Sequence, residues 1–153
     1  MTPRLDLHAV SPGTLQAMLQ LEHHVRTSGL EHSLVELVKT RASQINGCAY
    51  CLHMHTRDAR AAGETEERLH VLAAWRESPL YTPRERAALA WTEALTLIAQ
   101  TRAPDADYDL LAEQFTPDEQ AKLTLLIVTI NAWNRFAVGF RAVHPVAEAR
   151  AAS

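Results

Sequence analysis

Two helix-start signatures constrain the fold of this chain more than any other feature of its sequence. Thr82-Pro83-Arg84-Glu85 and Thr116-Pro117-Asp118-Glu119 each place a threonine before a proline, with a glutamate three residues after the threonine. This is the capping-box pattern with proline at the first helical position, so each signature predicts the start of a helix. We place the two helices over about residues 83–101 and 117–139.

The rest of the chain is also predicted to be helical. The first ten residues are expected to be extended, and the last ones, 146–153, to form an alanine-rich frayed helix or tail. No stretch alternates apolar and polar residues for long enough to build a sheet. We therefore predict an all-α helical bundle in a single domain spanning residues 1–153. Apolar spacing with start and stop signals gives further helices over about residues 13–27, 32–44, 48–62, 66–76 and 107–115.

Composition and charge limit where the protein acts and what it binds. Its 153 residues are 47% hydrophobic and 22% charged, an ordinary balance for a globular domain, and the net charge of −3 gives no global attraction to nucleic acid or to an anionic membrane. No apolar run approaches the roughly 20 residues of a membrane helix, and no secretory signal is visible. We expect a cytoplasmic protein without nucleic-acid or membrane partners.

The chemistry of the chain is concentrated in the C-x-x-C motif Cys48-Ala49-Tyr50-Cys51 at the start of a predicted helix. Backbone N–H groups at a helix N-terminus stabilise a thiolate, and this spacing lets the two sulfurs close a disulfide within one turn. At about 100° per residue, His55 shares a face with both cysteines, whereas His53 lies on the opposite side. His55 is thus the candidate proton acceptor for Cys51, and His53 is expected to be solvated.

The residues leave two alternatives to redox chemistry open. The C-x-x-C motif can be half of a zinc site, in which Cys48, Cys51 and His55 are well placed and Glu36 is a distant fourth ligand. The cysteines can also be buried only for packing. There is no glycine-rich phosphate loop, dinucleotide fingerprint or G-x-S-x-G elbow, so no cofactor is expected.

With Glu36 included, residues 36–55 contain the longer pattern E-x11-C-x-x-C-x3-H. This pattern resembles the signature of the alkylhydroperoxidase D-like (AhpD-like) proteins of the carboxymuconolactone decarboxylase superfamily, which are all-helical and form homo-oligomers. The resemblance covers residues 36–63, and the rest of the chain agrees in length and helix order only. It implies a thiol-dependent peroxidase, and the presence of a cysteine pair argues against the lactone-decarboxylating branch.

The resemblance assigns a role to each residue of the pattern. Cys51 would be the peroxidatic cysteine that becomes a sulfenic acid, and Cys48 the more exposed partner that condenses with it to a disulfide. His55 and Glu36 would form a proton relay that removes the thiol proton of Cys51. Tyr50 stands where the founding peroxidase has a histidine, a departure that affects peroxidase efficiency and the choice of recycling partner.

The resemblance also implies partners: a hydroperoxide substrate, an external dithiol or thioredoxin-like reductant, and further copies of the chain in a trimer or hexamer. The apolar residues of helix 117–139 cannot all lie on one stripe, which independently predicts burial on more than one side. Two other functions stay open. One is a disulfide reductase or redox sensor without efficient peroxide turnover, and the other is a non-catalytic metal-binding or assembly protein.

Helical periodicity by itself predicts that Glu36 lies on the protein surface and not in the redox site. The apolar arc of the predicted helix 32–44 contains Leu34, Leu37 and Val38, and Glu36 points about 200° away from Leu34. The pattern alone therefore predicts a solvated surface glutamate. Only the resemblance moves Glu36 into the site, and the two predictions agree if this polar face is covered by the helix of Cys48, by another segment or by a neighbouring subunit.

Overall fold

The structure, a computed structural model, describes residues 2–146, and over this range it is helical without any strand. The all-α class predicted from the sequence is therefore confirmed. The predicted tail lies outside the described residues from position 147 onward. The α-helices are α1 (Leu7–Val10), α2 (Pro12–Arg26), α3 (His32–Ile45), α4 (Ala49–Ala61), α5 (Glu66–Val71), α6 (Pro83–Thr96), α7 (Ile98–Thr101), α8 (Asp105–Gln114) and α9 (Pro117–Phe140), with a 3-10 helix (Leu72–Glu77) after α5.

Both predicted capping boxes form. Thr82 Oγ1 accepts the backbone N–H of Glu85 at 3.2 Å, and the Glu85 carboxylate accepts the backbone N–H of Thr82 at 2.8 Å. Thr116 and Glu119 make the same reciprocal bonds at 3.3 and 2.9 Å. Each box satisfies two N–H groups that the helix itself leaves without a partner, which is why these starts can be predicted from local sequence.

The N-terminal segment differs from its prediction. Residues 7–10, expected to be extended, form the single-turn helix α1. The cause is Asp6, whose carboxylate accepts the backbone N–H groups of His8 and Ala9 at 3.0 and 3.3 Å. Arg4 then fastens the segment to the end of α9 through its backbone N–H, which donates to the carbonyl of Phe140 at 2.9 Å.

Two predicted helices are interrupted. The helix expected over 83–101 breaks at Leu97, where φ is −101° and ψ is 27°. Thr101 supports the break because its hydroxyl donates to the carbonyl of Ala94 at 2.6 Å. The helix expected over 66–76 is α-helical only to Val71 and continues as the 3-10 helix, with a kink at Ala74.

Helix α3 is the central element, because it packs against α4, α6, α9 and the 3-10 helix. Every residue from Leu34 to Thr40 is buried, and so are Ala42 and Ser43. The amphipathic pattern predicts one buried arc, but neighbouring helices also cover the remaining circumference. Polar side chains on α3, including Glu36 and Lys39, are therefore taken out of solvent.

Within residues 2–146, three clusters of buried side chains hold the helices together. The largest joins α3, α6, α8 and α9 around Trp91 and Leu126, and the second joins α3, α6 and the 3-10 helix around Leu37 and Trp75. The third cluster contains Ala42, Cys48, Cys51 and Ile130, and thus packs the C-x-x-C motif against α9.

Helix α9 is long and apolar enough to cross a bilayer by length and composition, and it is the one such helix among the described residues. It contacts α2, α3, α4, α6 and α8. Its buried residues include Asn131 and Asn134, whereas Val128 and Val138 are exposed. The predicted burial on more than one side is present, but the same chain provides the contacts, so the apolarity of α9 does not by itself require a partner subunit.

Glu93 on α6 is the centre of a polar junction outside the site. Its carboxylate accepts Arg41 Nε and Trp75 Nε1, each at 2.8 Å, and also a guanidinium N–H of Arg76. Burial acts to raise the pKa of Glu93, but the hydrogen bonds from Arg76, Trp75 and Arg41 outweigh it, and the pKa is lowered. The junction joins α3, α6 and the 3-10 helix.

Candidate redox site

Cys48 is the N-cap residue of α4, and Cys51 lies in the first turn of that helix. Gly47, with a φ of 65°, adopts the left-handed conformation that turns the chain from the end of α3 into α4. The backbone N–H of Cys51 donates to Sγ of Cys48 at 3.3 Å, and the N–H of Cys48 donates to the carbonyl of Ser43 at 3.0 Å. The two cysteines are free thiols held at a helix N-terminus, where the sequence places them.

The two sulfurs are unequal in acidity. Sγ of Cys48 accepts a hydrogen bond from the Cys51 thiol and another from its backbone N–H, and despite burial these bonds lower the pKa of Cys48 from 9.0 to about 7. The same thiol–sulfur bond, burial and the charge on Cys48 raise the pKa of Cys51. The pair thus loses its first proton near neutral pH, and the resulting charge lies mainly on Cys48.

The expectation that Cys48 is the more exposed cysteine is wrong. Cys48 is 1% exposed and Cys51 is 3% exposed, and Cys51 is the one that lines a pocket. The reason is the N-cap position, because it directs the Cys48 sulfur toward the N–H groups of α4. Ala42 and Ile130 pack in the same cluster and help to cover it.

His55 and Glu36 form a buried pair between α4 and α3. Nδ1 of His55 lies 2.9 Å from Oε2 of Glu36, and the two residues are 5% and 6% exposed. The carboxylate thereby orients the ring and leaves Nε2 as the ring nitrogen for a second partner. His53 is exposed and stacks on His144 with 4.6 Å between ring centroids, so the two histidines of α4 lie on opposite faces as their spacing predicts.

The solvated position that periodicity predicts for Glu36 is wrong, because α4 covers the polar face of α3. The polar face of α3 thus carries Glu36, as periodicity predicts, and is covered by the helix of Cys48, which brings Glu36 into the site as the resemblance implies. This covering occurs within a single chain. No neighbouring subunit is needed to bury the Glu36 carboxylate.

Three residues of the site, Cys51, His55 and Glu36, line an open pocket of about 1020 Å³. Its walls are mostly apolar, which suits the carbon skeleton of an organic molecule, while the sulfur and imidazole form a small polar region. The apolar wall comes from the N-terminal segment, α2 and α9 and includes Leu5, Leu15, Leu19, Trp133, Phe136 and Phe140.

Sequence reasoning missed an ion pair in the same pocket. Lys39 is 2% exposed and pairs with Glu22 of α2, and Trp133 Nε1 donates to the other oxygen of Glu22 at 3.2 Å. The one available signal was that Lys39 follows Glu36 by three residues and so shares its helical face. Nothing in the spacing of α2 indicates that Glu22 would meet Lys39.

Sequence reasoning also missed a carboxamide network beside the sulfurs. Asn134 Nδ2 donates to Ser43 Oγ at 3.0 Å, and Asn46 Nδ2 donates to Oδ1 of Asn134 at 2.8 Å and of Asn131 at 3.0 Å. The available signal was a pair of asparagines, three residues apart, in the otherwise apolar pattern of α9. Buried polar side chains in such a helix need specific partners.

The side chains proposed as zinc ligands are engaged with one another. Cys48 bonds Cys51, and His55 bonds Glu36. Among residues 2–146, no three His, Cys, Asp or Glu side chains are grouped in a way that could hold a metal ion.

Fold and site together define an all-helical protein in which one cysteine of a C-x-x-C pair, a histidine and a glutamate line the same pocket, and the second cysteine is buried next to the first. The family model described as the carboxymuconolactone decarboxylase family matches residues 12–94. The chain belongs to this family and is an AhpD-like member of it.

Similar proteins and structures agree with this membership. The uncharacterized protein YdfG of Bacillus subtilis is 40% identical over 138 residues, which are 90% of this chain and 94% of that protein. The crystal structure of ATU0492 from Agrobacterium tumefaciens, a protein of unknown function proposed to be the antioxidant defence protein AhpD, has a TM-score of 0.94 at 46% identity and covers 95% of this chain and 100% of its own. An uncharacterized peroxidase-related protein from Silicibacter sp. TM1040 has a TM-score of 0.78 at 25% identity, over 92% of this chain and 74% of its own.

Proposed function

We propose that this protein is a cysteine-based peroxidase that reduces a hydroperoxide at Cys51. The observation that carries the proposal is that Cys51 lines the same pocket as the buried His55–Glu36 pair and is hydrogen-bonded to Cys48. The descriptions of two similar structures, one peroxidase-related and one linked to antioxidant defence, support the same general role.

The first step is attack of the Cys51 sulfur on an oxygen of the hydroperoxide. The pair holds one proton between its sulfurs near neutral pH, so Cys51 becomes the attacking thiolate when that proton moves to Cys48 or to Nε2 of His55. An S–O bond forms and the O–O bond breaks. Sulfur loses two electrons, Cys51 becomes a sulfenic acid, and the alkoxide leaves as an alcohol after it takes up a proton.

His55 and Glu36 serve this proton transfer. Because Nδ1 of His55 is bonded to Glu36, Nε2 accepts the proton from Cys51 and returns it to the departing alkoxide. The buried Glu36 carboxylate stabilises the imidazolium that exists between the two transfers. Glu36 thus acts as a positioning residue through His55.

The second step closes the disulfide. The Cys48 sulfur attacks the sulfenic sulfur of Cys51, an S–S bond forms, and the hydroxyl leaves as water with one added proton. The backbone N–H of Cys51, which donates to Sγ of Cys48 at 3.3 Å, helps to stabilise the Cys48 thiolate that makes this attack.

An external dithiol, such as a thioredoxin-like protein, then supplies two electrons and restores the thiols. Its attack on the pocket-facing Cys51 sulfur expels Cys48 as a thiolate, and the backbone N–H of Cys51 that donates to Sγ of Cys48 stabilises the leaving sulfur.

Single-cysteine variants test the assignment of the two sulfurs. Reduced Cys48→Ser protein given one equivalent of cumene hydroperoxide under anaerobic conditions should accumulate a sulfenic acid at Cys51 that dimedone labels. Cys51→Ser protein should consume no peroxide and remain unlabelled. Labelling of Cys48 in the Cys51→Ser protein, with none of Cys51 in the other variant, would reverse the assignment.

A second candidate function is disulfide exchange without efficient peroxide turnover. The low pKa of Cys48 at the α4 N-terminus favours it, because this is the environment of exchange-active C-x-x-C pairs. The wild-type protein separates the two functions. Formation of the disulfide as fast as hydroperoxide can be mixed with the reduced protein supports the peroxidase. Slow oxidation by peroxide, combined with fast exchange with an oxidised dithiol, supports the reductase or sensor.

We further propose that the protein is a cytoplasmic homo-oligomer, a trimer or a hexamer. Exposed apolar side chains, including Val10, Leu19, Ile98 and Val128, support association, and dependence on a dithiol reductant supports a reducing compartment. Light scattering at micromolar concentration should give a multiple of the 17.0 kDa chain mass. A mass of one chain would contradict the proposed assembly.

A further inference from the structure

Asn134 of α9 lies beside the sulfur pair but does not line the pocket. Ile130, one turn before it, belongs to the cluster of Cys48 and Cys51, and Ala137, one turn after it, packs against that cluster. Asn134 is between them on the same face of α9 and is 1% exposed. A carboxamide at this depth has no solvent to bond and depends on protein partners.

The partners of Asn134 fix the direction of its amide. Oδ1 accepts Asn46 Nδ2 at 2.8 Å, so the oxygen is assigned to the Asn46 side. Nδ2 donates one of its two hydrogens to Ser43 Oγ at 3.0 Å, and Ser43 is in turn bonded to the motif through the N–H of Cys48. One N–H of the amide therefore remains without an acceptor among the described residues, on the face of α9 that packs against the cluster of Cys48 and Cys51.

We propose that Asn134 is a positioning residue of the sulfur pair, whose second amide N–H donates to the sulfur that carries the negative charge. A buried thiolate requires preset donors, and the backbone N–H of Cys51 is one of them. Hydrogen bonding by Asn134 lowers the pKa of Cys48 and acts in the same direction on Cys51, so it supports the charge on either sulfur.

This role rests on the proposed redox function, in which charge moves between the two sulfurs. When an external thiolate attacks Cys51 in the disulfide, the S–S bond breaks and its electron pair goes to Cys48. Asn134 and the N–H of Cys51 are already oriented to receive that charge, so little reorganisation is needed.

Other charged groups around the pair lie on different elements and remain in place when Asn134 is changed. His55 faces it from α4, Glu36 and Lys39 line the pocket from α3, and Glu22 does so from α2. On α9 itself, Arg135 is bonded to Asn131 rather than to the sulfurs.

The experiment measures the thiolate itself and uses no peroxide. The ultraviolet absorbance of the reduced protein is followed against pH for the wild type, Asn134→Leu and Asn134→Ala. Both variants should raise the apparent pKa of the first thiol by about one unit, which is roughly a tenfold smaller thiolate fraction below that pKa. The disulfide should also become harder to reduce in a dithiol redox buffer.

Asn131→Leu is the matched control, because Asn131 is buried on the same helix and also bonds Asn46 but is not among the hydrogen-bond partners of either sulfur. Its thiol pKa should equal that of the wild type. A folded Asn134 variant with an unchanged pKa, or an equal rise in the Asn131 variant, would overturn the proposal. If the rise is specific to Asn134 but the wild type reduces no hydroperoxide, the role of Asn134 stands and the peroxidase proposal fails.

Discussion

The replacement Cys51→Ala isolates the contribution that one thiol makes to the acidity of its neighbour. Sγ of Cys48 accepts two hydrogen bonds from Cys51, one from the thiol and one from the backbone N–H at 3.3 Å. Alanine removes the first donor and retains the second. Cys51→Ser is the matched variant, because its hydroxyl can still donate to the Cys48 sulfur.

The expected size follows from the pKa of Cys48. At a pKa of 9.0 only about 1% of a thiol is ionised at pH 7, whereas at about 7 roughly half is, a difference of about fifty-fold. The Cys51 thiol is the largest cause of this lowering, and burial opposes it. We expect the pKa of Cys48 to rise by about one unit or more in the Cys51→Ala protein. In the Cys51→Ser protein the pKa of Cys48 should stay closer to 7.

The measurement is thiolate absorbance against pH, which does not require a reagent to reach a buried sulfur. The chain has two cysteines, so each variant contains a single thiol and the titration is unambiguous. The same proteins in denaturant provide the unshifted reference. Equal pKa values in the two folded variants, or a Cys48 pKa near 9 in Cys51→Ser, would refute the argument that the side-chain donor sets the acidity.

Three further outcomes are expected. His55→Ala should slow the reaction of Cys51 with hydroperoxide by about 10²-fold or more in stopped-flow mixing, whereas His53→Ala should not, since His53 is on the exposed face of α4. Glu93→Gln should cost about 1–3 kcal/mol in denaturant unfolding at pH 7 because it weakens three hydrogen bonds to a charged acceptor. The pKa of Glu93 is lower in the folded protein than the 4.5 of the unfolded chain, so the ionised carboxylate stabilises the fold fully above pH 4.5. This stabilisation is lost as the pH falls through the folded-state pKa. The difference in unfolding free energy between the wild type and Glu93→Gln should therefore shrink in acid. Leu126→Ala, at a fully buried position, should cost about 2–5 kcal/mol, while Val128→Ala, at a position 52% exposed, should change stability by about 0.5 kcal/mol or less.

Local sequence determined the parts of this protein that depend on neighbours a few residues apart. The helix starts at Thr82 and Thr116 follow from bonds between a cap and the glutamate three residues later. The place of the C-x-x-C motif at a helix N-terminus follows from Gly47, which turns the chain out of α3 just before the motif. The opposite faces of His53 and His55 follow from the 3.6-residue period of one helix. The break at Leu97 escaped prediction because the apolar pattern continues past it.

The tertiary structure alone decided which neighbours cover each face. Helical spacing places Glu36 on the polar side of α3, but α4 packs there and brings His55, 19 residues away, within 2.9 Å of it. The depth of Cys48 depends on α9, and the partner of Asn134 is Ser43, 91 residues away. A periodic pattern fixes a side chain relative to its own helix, whereas burial, pairing and thiol acidity depend on contacts between segments distant in the chain, and these form only when the helices pack.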